Sequence, residues 1–173
     1  MNLRGPFLFV IIFLGGLFVC VIAGGWFLSG FQMTSTAMEP TIKSGQIVFV
    51  NRMLLRTGDP KRGDVILLQV PGEETQVVRR VIALPGERIE CRFQEVYIND
   101  KKLDEPYLRA RETEEPQIEA PAPDAFGPTP VPEECFFVLG DNRRTSRDSR
   151  SFGFVKREFI LGKVLLMWGF FAF

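Results

Sequence analysis

The stretch Val77-Val78-Arg79-Arg80-Val81-Ile82-Ala83-Leu84-Pro85-Gly86-Glu87 decides the fold class. It is dense in β-branched residues, which suit a pleated surface and lose rotamer freedom in a helix. It stops at Leu-Pro-Gly, where proline withdraws a main-chain donor and glycine supplies turn conformations. Working outward, Ile47 to Val50, Val65 to Val70, Val96 to Ile98 and Phe136 to Leu139 are short runs of the same kind, separated by Gly, Pro and Asp. Strands joined by turns read this way, so the chain is expected to be mainly β. Arg111 to Glu134 is rich in Pro and Glu and is expected to be a long surface loop or a partly disordered lid, unable to supply ladder or core. No internal repeat is present. The apolar run Val164 to Phe173 is too short to cross a bilayer as a helix; it reads as a core strand, with a surface resting on the membrane as the alternative.

No charged residue occurs between Gly5 and Met38, and Pro6 to Leu28 is long enough to cross the hydrocarbon core as a helix. The expected organisation is therefore a transmembrane anchor over 1–30 and an extracytoplasmic domain over 31–173. A cleaved signal peptide is the rival, since Val21-Ile22-Ala23 weakly resembles a cleavage site, but the apolar run is too long for one. Arg4 and the terminal amine favour a cytoplasmic N-terminus. The 21 basic and 21 acidic residues give no electrostatic reason to expect nucleic-acid binding. The chain contains no His, which removes Ser-His-Asp and Cys-His catalysis and any His-containing metal site. No metal or cofactor is expected. Cys91 and Cys135 lie where oxidation is permitted, and both a bridge and two buried thiols remain open.

Several motifs follow one another along the chain. They are Ser35-Thr36-Ala37-Met38-Glu39-Pro40-Thr41, Ser44-Gly45-Gln46-Ile47-Val48-Phe49-Val50-Asn51, Arg62-Gly63-Asp64-Val65-Ile66 and the stretch from Val77 to Glu87. Beyond these come Val96 to Asp100, Glu105-Pro106-Tyr107-Leu108, Phe126-Gly127-Pro128 and the block Gly140-Asp141-Asn142-Arg143-Arg144-Thr145-Ser146-Arg147-Asp148-Ser149-Arg150-Ser151-Phe152-Gly153. In this order the chain resembles the type I signal peptidases, membrane-bound serine endopeptidases of bacteria that use a Ser/Lys dyad. The resemblance implies a signal-peptidase-type β domain after one N-terminal transmembrane helix, placed outside the cytoplasmic membrane. Its implied partners are the signal peptides of exported preproteins and the lipid bilayer. The family pattern Ser-x-Ser-Met-x-Pro-Thr puts the nucleophile at Ala37, and the lysine base falls at Arg79. Ser35 then matches an oxyanion donor, while Ser146 and Asp148 match residues that organise the site, Asp148 through an ion pair with Arg150. Phe31, Met33, Ile42 and Val78 match positions lining pockets for small substrate side chains, although apolar strand residues also read simply as core.

The chemistry of these positions can be argued without the family. Acyl transfer by a hydroxyl needs an oxygen and a base within reach to take its proton. Alanine has no oxygen, and arginine stays protonated and offers no acceptor. Ser35 and Thr36 are nearby hydroxyls, but one or two places along an extended segment they point elsewhere. Lys43, followed by Ser44-Gly45, reads as a solvated turn. A catalytically silent domain is therefore expected, still able to take an extended signal peptide as a strand beside residues 31–36 and 77–81. A true signal peptidase inactivated by engineering and a scaffold paired with an active paralogue are the alternatives. Because a buried unpaired guanidinium is costly, Arg79 is expected to reach solvent or find a carboxylate, with Asp148 the nearest candidate.

Overall fold

The computed structural model describes residues 28–53, 58–92, 95–108 and 126–168, together with position 15. The span expected over Pro6 to Leu28 lies almost wholly outside them. Among the described residues no helix is long and apolar enough to cross a membrane. The strands are β1 (Leu28–Gln32), β2 (Ile47–Asn51), β3 (Val65–Gln69), β4 (Gln76–Ala83), β5 (Arg88–Arg92), β6 (Glu95–Ile98), β7 (Lys101–Lys102), β8 (Phe126–Pro130), β9 (Cys135–Leu139), β10 (Val155–Lys156) and β11 (Ile160–Trp168). Among the described residues a short α-helix, α1, covers Ser149–Phe152, and single 3-10 turns cover Pro106–Leu108 and Arg157–Phe159.

The stretch from Val77 to Glu87 becomes β4 and the turn that ends it. Gly86 adopts a positive φ of 76°, and Glu87 N–H donates to Leu84 O at 3.2 Å, closing the turn after the proline. β4 lies inside a seven-stranded sheet of order β1-β2-β11-β3-β4-β9-β10, and a second sheet has the order β7-β6-β5-β8. The pairings are antiparallel throughout.

Three packed clusters hold these layers. Met33, Met38, Ile42, Val48, Val50, Leu67 and Val78 form the first, which draws the segment after β1 onto β2, β3 and β4. A second joins Ile66, Leu68, Val81, Phe136, Val138, Val155 and Ile160. The third, including Ile82, Ile89, Cys91, Val96, Cys135 and Phe137, seats the small sheet against β4 and β9. Cys91 and Cys135 are both free and buried, which settles their open reading in favour of thiols.

Three boundaries differ from those expected. Residues 126–130 form β8, and Val131 behind it is buried, so the end of the Pro/Glu-rich stretch does contribute ladder and core. Its prolines are tolerated because β8 is an edge strand of the small sheet. β1 begins at Leu28, so a boundary at residue 30 falls within a strand. β11 begins at Ile160, four residues before the apolar run, and threads between β2 and β3.

Candidate active site

The segment 35–37, β4 and the turn 140–148 converge on one place. Ser35 and Thr36 are exposed in a bend, whereas Ala37 is buried, at 4% exposure. The turn following β9 grips this segment by its main chain. Asn142 N–H donates to Ala37 O at 2.9 Å, and Asn142 Nδ2 donates to Thr36 O at 3.2 Å. Gly140 must be glycine at this contact, because a Cβ there would sit 2.1 Å from Ser146 Oγ and 2.6 Å from Ala37 O.

A second set of bonds fixes the turn internally. Asp148 is fully buried and caps α1, accepting from Arg150 N–H at 3.2 Å. Its carboxylate also takes Arg150 Nε at 2.8 Å, Arg150 Nη2 at 2.9 Å and the Gly140 N–H at 3.0 Å. The ion pair with Arg150 that the resemblance implied is thus present. Ser149 Oγ accepts from Val138 N–H at 3.0 Å, tying α1 to β9. Ser146 Oγ is buried and has no hydrogen-bond partner among the described residues.

Arg79 departs from expectation. It is 4% exposed, and among the described residues its hydrogen bonds go to main-chain carbonyls and not to a carboxylate. Its Nε and Nη2 donate to Arg147 O at 3.0 and 2.7 Å, and Nη1 donates to Val78 O at 2.6 Å. Main-chain carbonyls can satisfy a buried guanidinium, an outlet that the choice between solvent and carboxylate left out. Burial pulls the Arg79 pKa below the ordinary arginine value; the Asp148 charge opposes this and the Arg150 charge reinforces it. Arginine nevertheless remains a cation that cannot accept a proton at neutral pH.

The course of β4 explains which carbonyl is capped. Val81 uses its N–H and C=O toward Asp64 and Gly63, on the β3 side, at 2.8 Å each. Main-chain groups alternate along a strand, so those of Arg80 and Val78 face the other way. There Arg80 meets Leu139 of β9, whose pairing with β4 begins at this residue. Val78 lies beyond β9, and its carbonyl, which accepts from Arg79 Nη1, faces an edge that no strand among the described residues lines.

Met33, Ile42 and Val78 are buried in one cluster with Phe31 packed against it, so these four residues are brought together as core. Sequence reasoning missed the ion pair beside them. Arg80 Nε and Nη2 bond Asp141 Oδ1 and Oδ2 at 2.8 and 2.6 Å, Nη1 reaches Gly63 O at 2.9 Å, and the guanidinium stacks 4.0 Å over the Tyr107 ring. Burial works against this charge, but the hydrogen bonds and charge of Asp141 outweigh it and lift the Arg80 pKa above the ordinary value. The second of two adjacent arginines in a largely apolar strand was the available signal, since such a group demands a partner.

A family model described as "Signal peptidase, peptidase S26" matches residues 7–169. The chain belongs to this family. It is 41% identical over 156 residues to a signal peptidase I of Bacillus caldolyticus, covering 84% of this chain and 83% of that protein. A signal peptidase I of Bacillus amyloliquefaciens is 37% identical over 133 residues, 77% of this chain and 71% of the relative. Among solved structures, a signal peptidase I from Enterococcus faecalis matches with a TM-score of 0.55 and 38% identity, over 63% of this chain and 98% of that one. The antiparallel sheets described above agree with that signal peptidase fold.

Proposed function

We propose that this signal peptidase relative is catalytically silent yet still binds signal peptides, held by an N-terminal anchor on the outer side of a bacterial cytoplasmic membrane. Ala37 and Arg79 stand at the nucleophile and base positions of the family pattern. The observation that carries this reading is Arg79, whose nitrogens are donors only and are turned onto the carbonyls of Val78 and Arg147. With a methyl at Ala37 there is neither an oxygen to attack nor a group to take its proton. Retained binding is supported by the edge of β4 at Val78, which no strand among the described residues lines, and by β1, the outermost strand of the large sheet. Between them a peptide could bond by its main chain, as strand addition requires.

The test is cleavage of a preprotein with Ala at the first and third positions before the scissile bond, using full-length protein in detergent. The chain as it stands, and Ala37→Ser alone, are expected to give no product, since a hydroxyl beside a fixed cation lacks a base. Ala37→Ser combined with Arg79→Lys is expected to cleave measurably. Loss of a serine nucleophile cost a subtilisin on the order of 10⁶ in turnover, so a faint restoration is easily seen. Product from the unaltered chain that disappears with Ser35→Ala or Thr36→Ala would overturn the silent assignment.

A further inference from the structure

β4 is longer than the strand that flanks it on one side. β9 pairs with it from Arg80 to Ala83, and the main-chain groups of Gln76 and Val78 turn the same way as those of Arg80. They therefore face ground that no strand among the described residues occupies. An extended peptide joining the sheet here would run about 4.8 Å to that side. Arg147 stands there instead. The Arg79 guanidinium donates through Nη1 to Val78 O at 2.6 Å and through Nε and Nη2 to Arg147 O at 3.0 and 2.7 Å, so one planar group holds the Arg147 main chain beside Val78. From that point the Arg147 side chain reaches the tip of the β3–β4 hairpin, where Nη1 and Nη2 bond Glu73 Oε2 and Oε1 at 3.0 and 2.5 Å. Glu73 is itself fixed in the turn, its N–H donating to Val70 O at 3.0 Å and its carbonyl accepting from Gln69 Nε2 at 2.9 Å.

One residue thus bridges from Val78 to the turn before Gln76, and its two ends are held differently. At the β4 end the contact is buried with Arg79; at the hairpin end it lies in solvent, the Glu73 and Arg147 side chains being 35% and 59% exposed. An ion pair in that setting gains little over two hydrated ions and weakens as salt rises. It opens and closes at small cost. We infer that Arg147 and Glu73 form a salt-sensitive strap over the strand-addition edge of β4, which an extended signal peptide must displace at the hairpin end before it bonds to Gln76 and Val78. This rests on the reading that signal peptides add beside β4, and deepens it: affinity for them is held down by an ion pair that lies outside the Ala37 and Arg79 positions.

The experiment follows, by fluorescence anisotropy, a dye-labelled peptide without charged side chains that ends in Ala-Gln-Ala amide, on full-length protein in detergent. It is run at about 0.01 M and about 1 M NaCl, between which the screening length falls from about 30 Å to about 3 Å. Affinity of the unaltered chain should rise about two- to five-fold with salt. Glu73→Gln and Arg147→Gln should each bind at low salt as tightly as the unaltered chain does at high salt, and should lose most of the salt response. Exchanging the partners, Glu73→Arg with Arg147→Glu, should bring back both the weaker low-salt binding and its salt response, which an altered hairpin shape alone would not. Gln variants that bind no more tightly than the unaltered chain, or that keep its full salt response, would overturn the strap and leave signal-peptide binding standing. An exchanged pair that behaves like the Gln variants would overturn it equally. Absence of binding by every form at both salt concentrations would overturn the strap and the binding reading together.

Discussion

Asp141 neutralises Arg80 through two hydrogen bonds at a place where both residues are buried, and this pair fastens the site's turn to β4. Removing one partner strands the other charge, so Asp141→Leu alone is expected to cost about 3–5 kcal/mol, read by urea denaturation. Arg80→Met with Asp141→Leu should recover most of the loss, because an apolar pair leaves no charge stranded. A single-variant cost below about 0.5 kcal/mol, as at an ordinary surface site, would show that the pair does not hold the turn. At this scale the sequence was legible where a residue type forbids chemistry, as at Ala37 and Arg79. It was not legible where satisfaction comes from the main chain. The partner carbonyl of Arg79 lies 68 residues away in a turn whose path no local pattern reveals.

The turn 140–148 is fastened to β4 by Arg79 and Arg80 and to the segment 36–37 by Asn142, and Gly140 is the tightest point between the turn and that segment. Its absent side chain admits Ser146 Oγ and Ala37 O, so Gly140→Ala must push the turn off the 36–37 segment. Overpacking of this kind costs about 1–3 kcal/mol, visible as a lower urea midpoint, and it should also weaken peptide binding. An unchanged midpoint would mean that the turn can shift freely. Strands with dense β-branched runs, β2, β3, β4, β6 and β9, were legible in the sequence within one or two residues. β1, β5 and β8 were not. Leu28–Gln32 holds Ser and Gly, Arg88–Arg92 alternates charges with its two buried residues, and Phe126–Pro130 carries two prolines. Each becomes a strand because a neighbour pairs with it, a long-range cause that local propensity does not record.

Across the whole molecule, the cluster shared by the two sheets has a distinct response to pH. Burial pushes the Cys91 thiol from its usual 9.0 up to about 11, with nearby charges as smaller influences. The unfolded chain therefore forms thiolate first. Stability from this group is complete below about pH 9 and declines as pH rises toward 11, by up to about 2–3 kcal/mol. Urea titrations across that window should show a shallower alkaline decline for Cys91→Ala than for the unaltered chain; identical slopes would remove burial of this thiol as a cause. The same two-sheet arrangement has a consequence for how such a chain changes over time. β4 and β9 are neighbours in the large sheet, yet the entire small sheet is strung between Ala83 and Cys135. An excursion that leaves and re-enters at adjacent strands can gain or lose length at its tip without displacing either anchor point. Its root is not so free, since Ile82, Ala83, Phe137 and Leu139 pack against it and would be laid bare by its removal. Insertions and deletions among descendants of this chain should accumulate far from that root, leaving the turn 140–148 and its hold on the segment 36–37 as the fixed part of a lineage whose outer portion is free to drift.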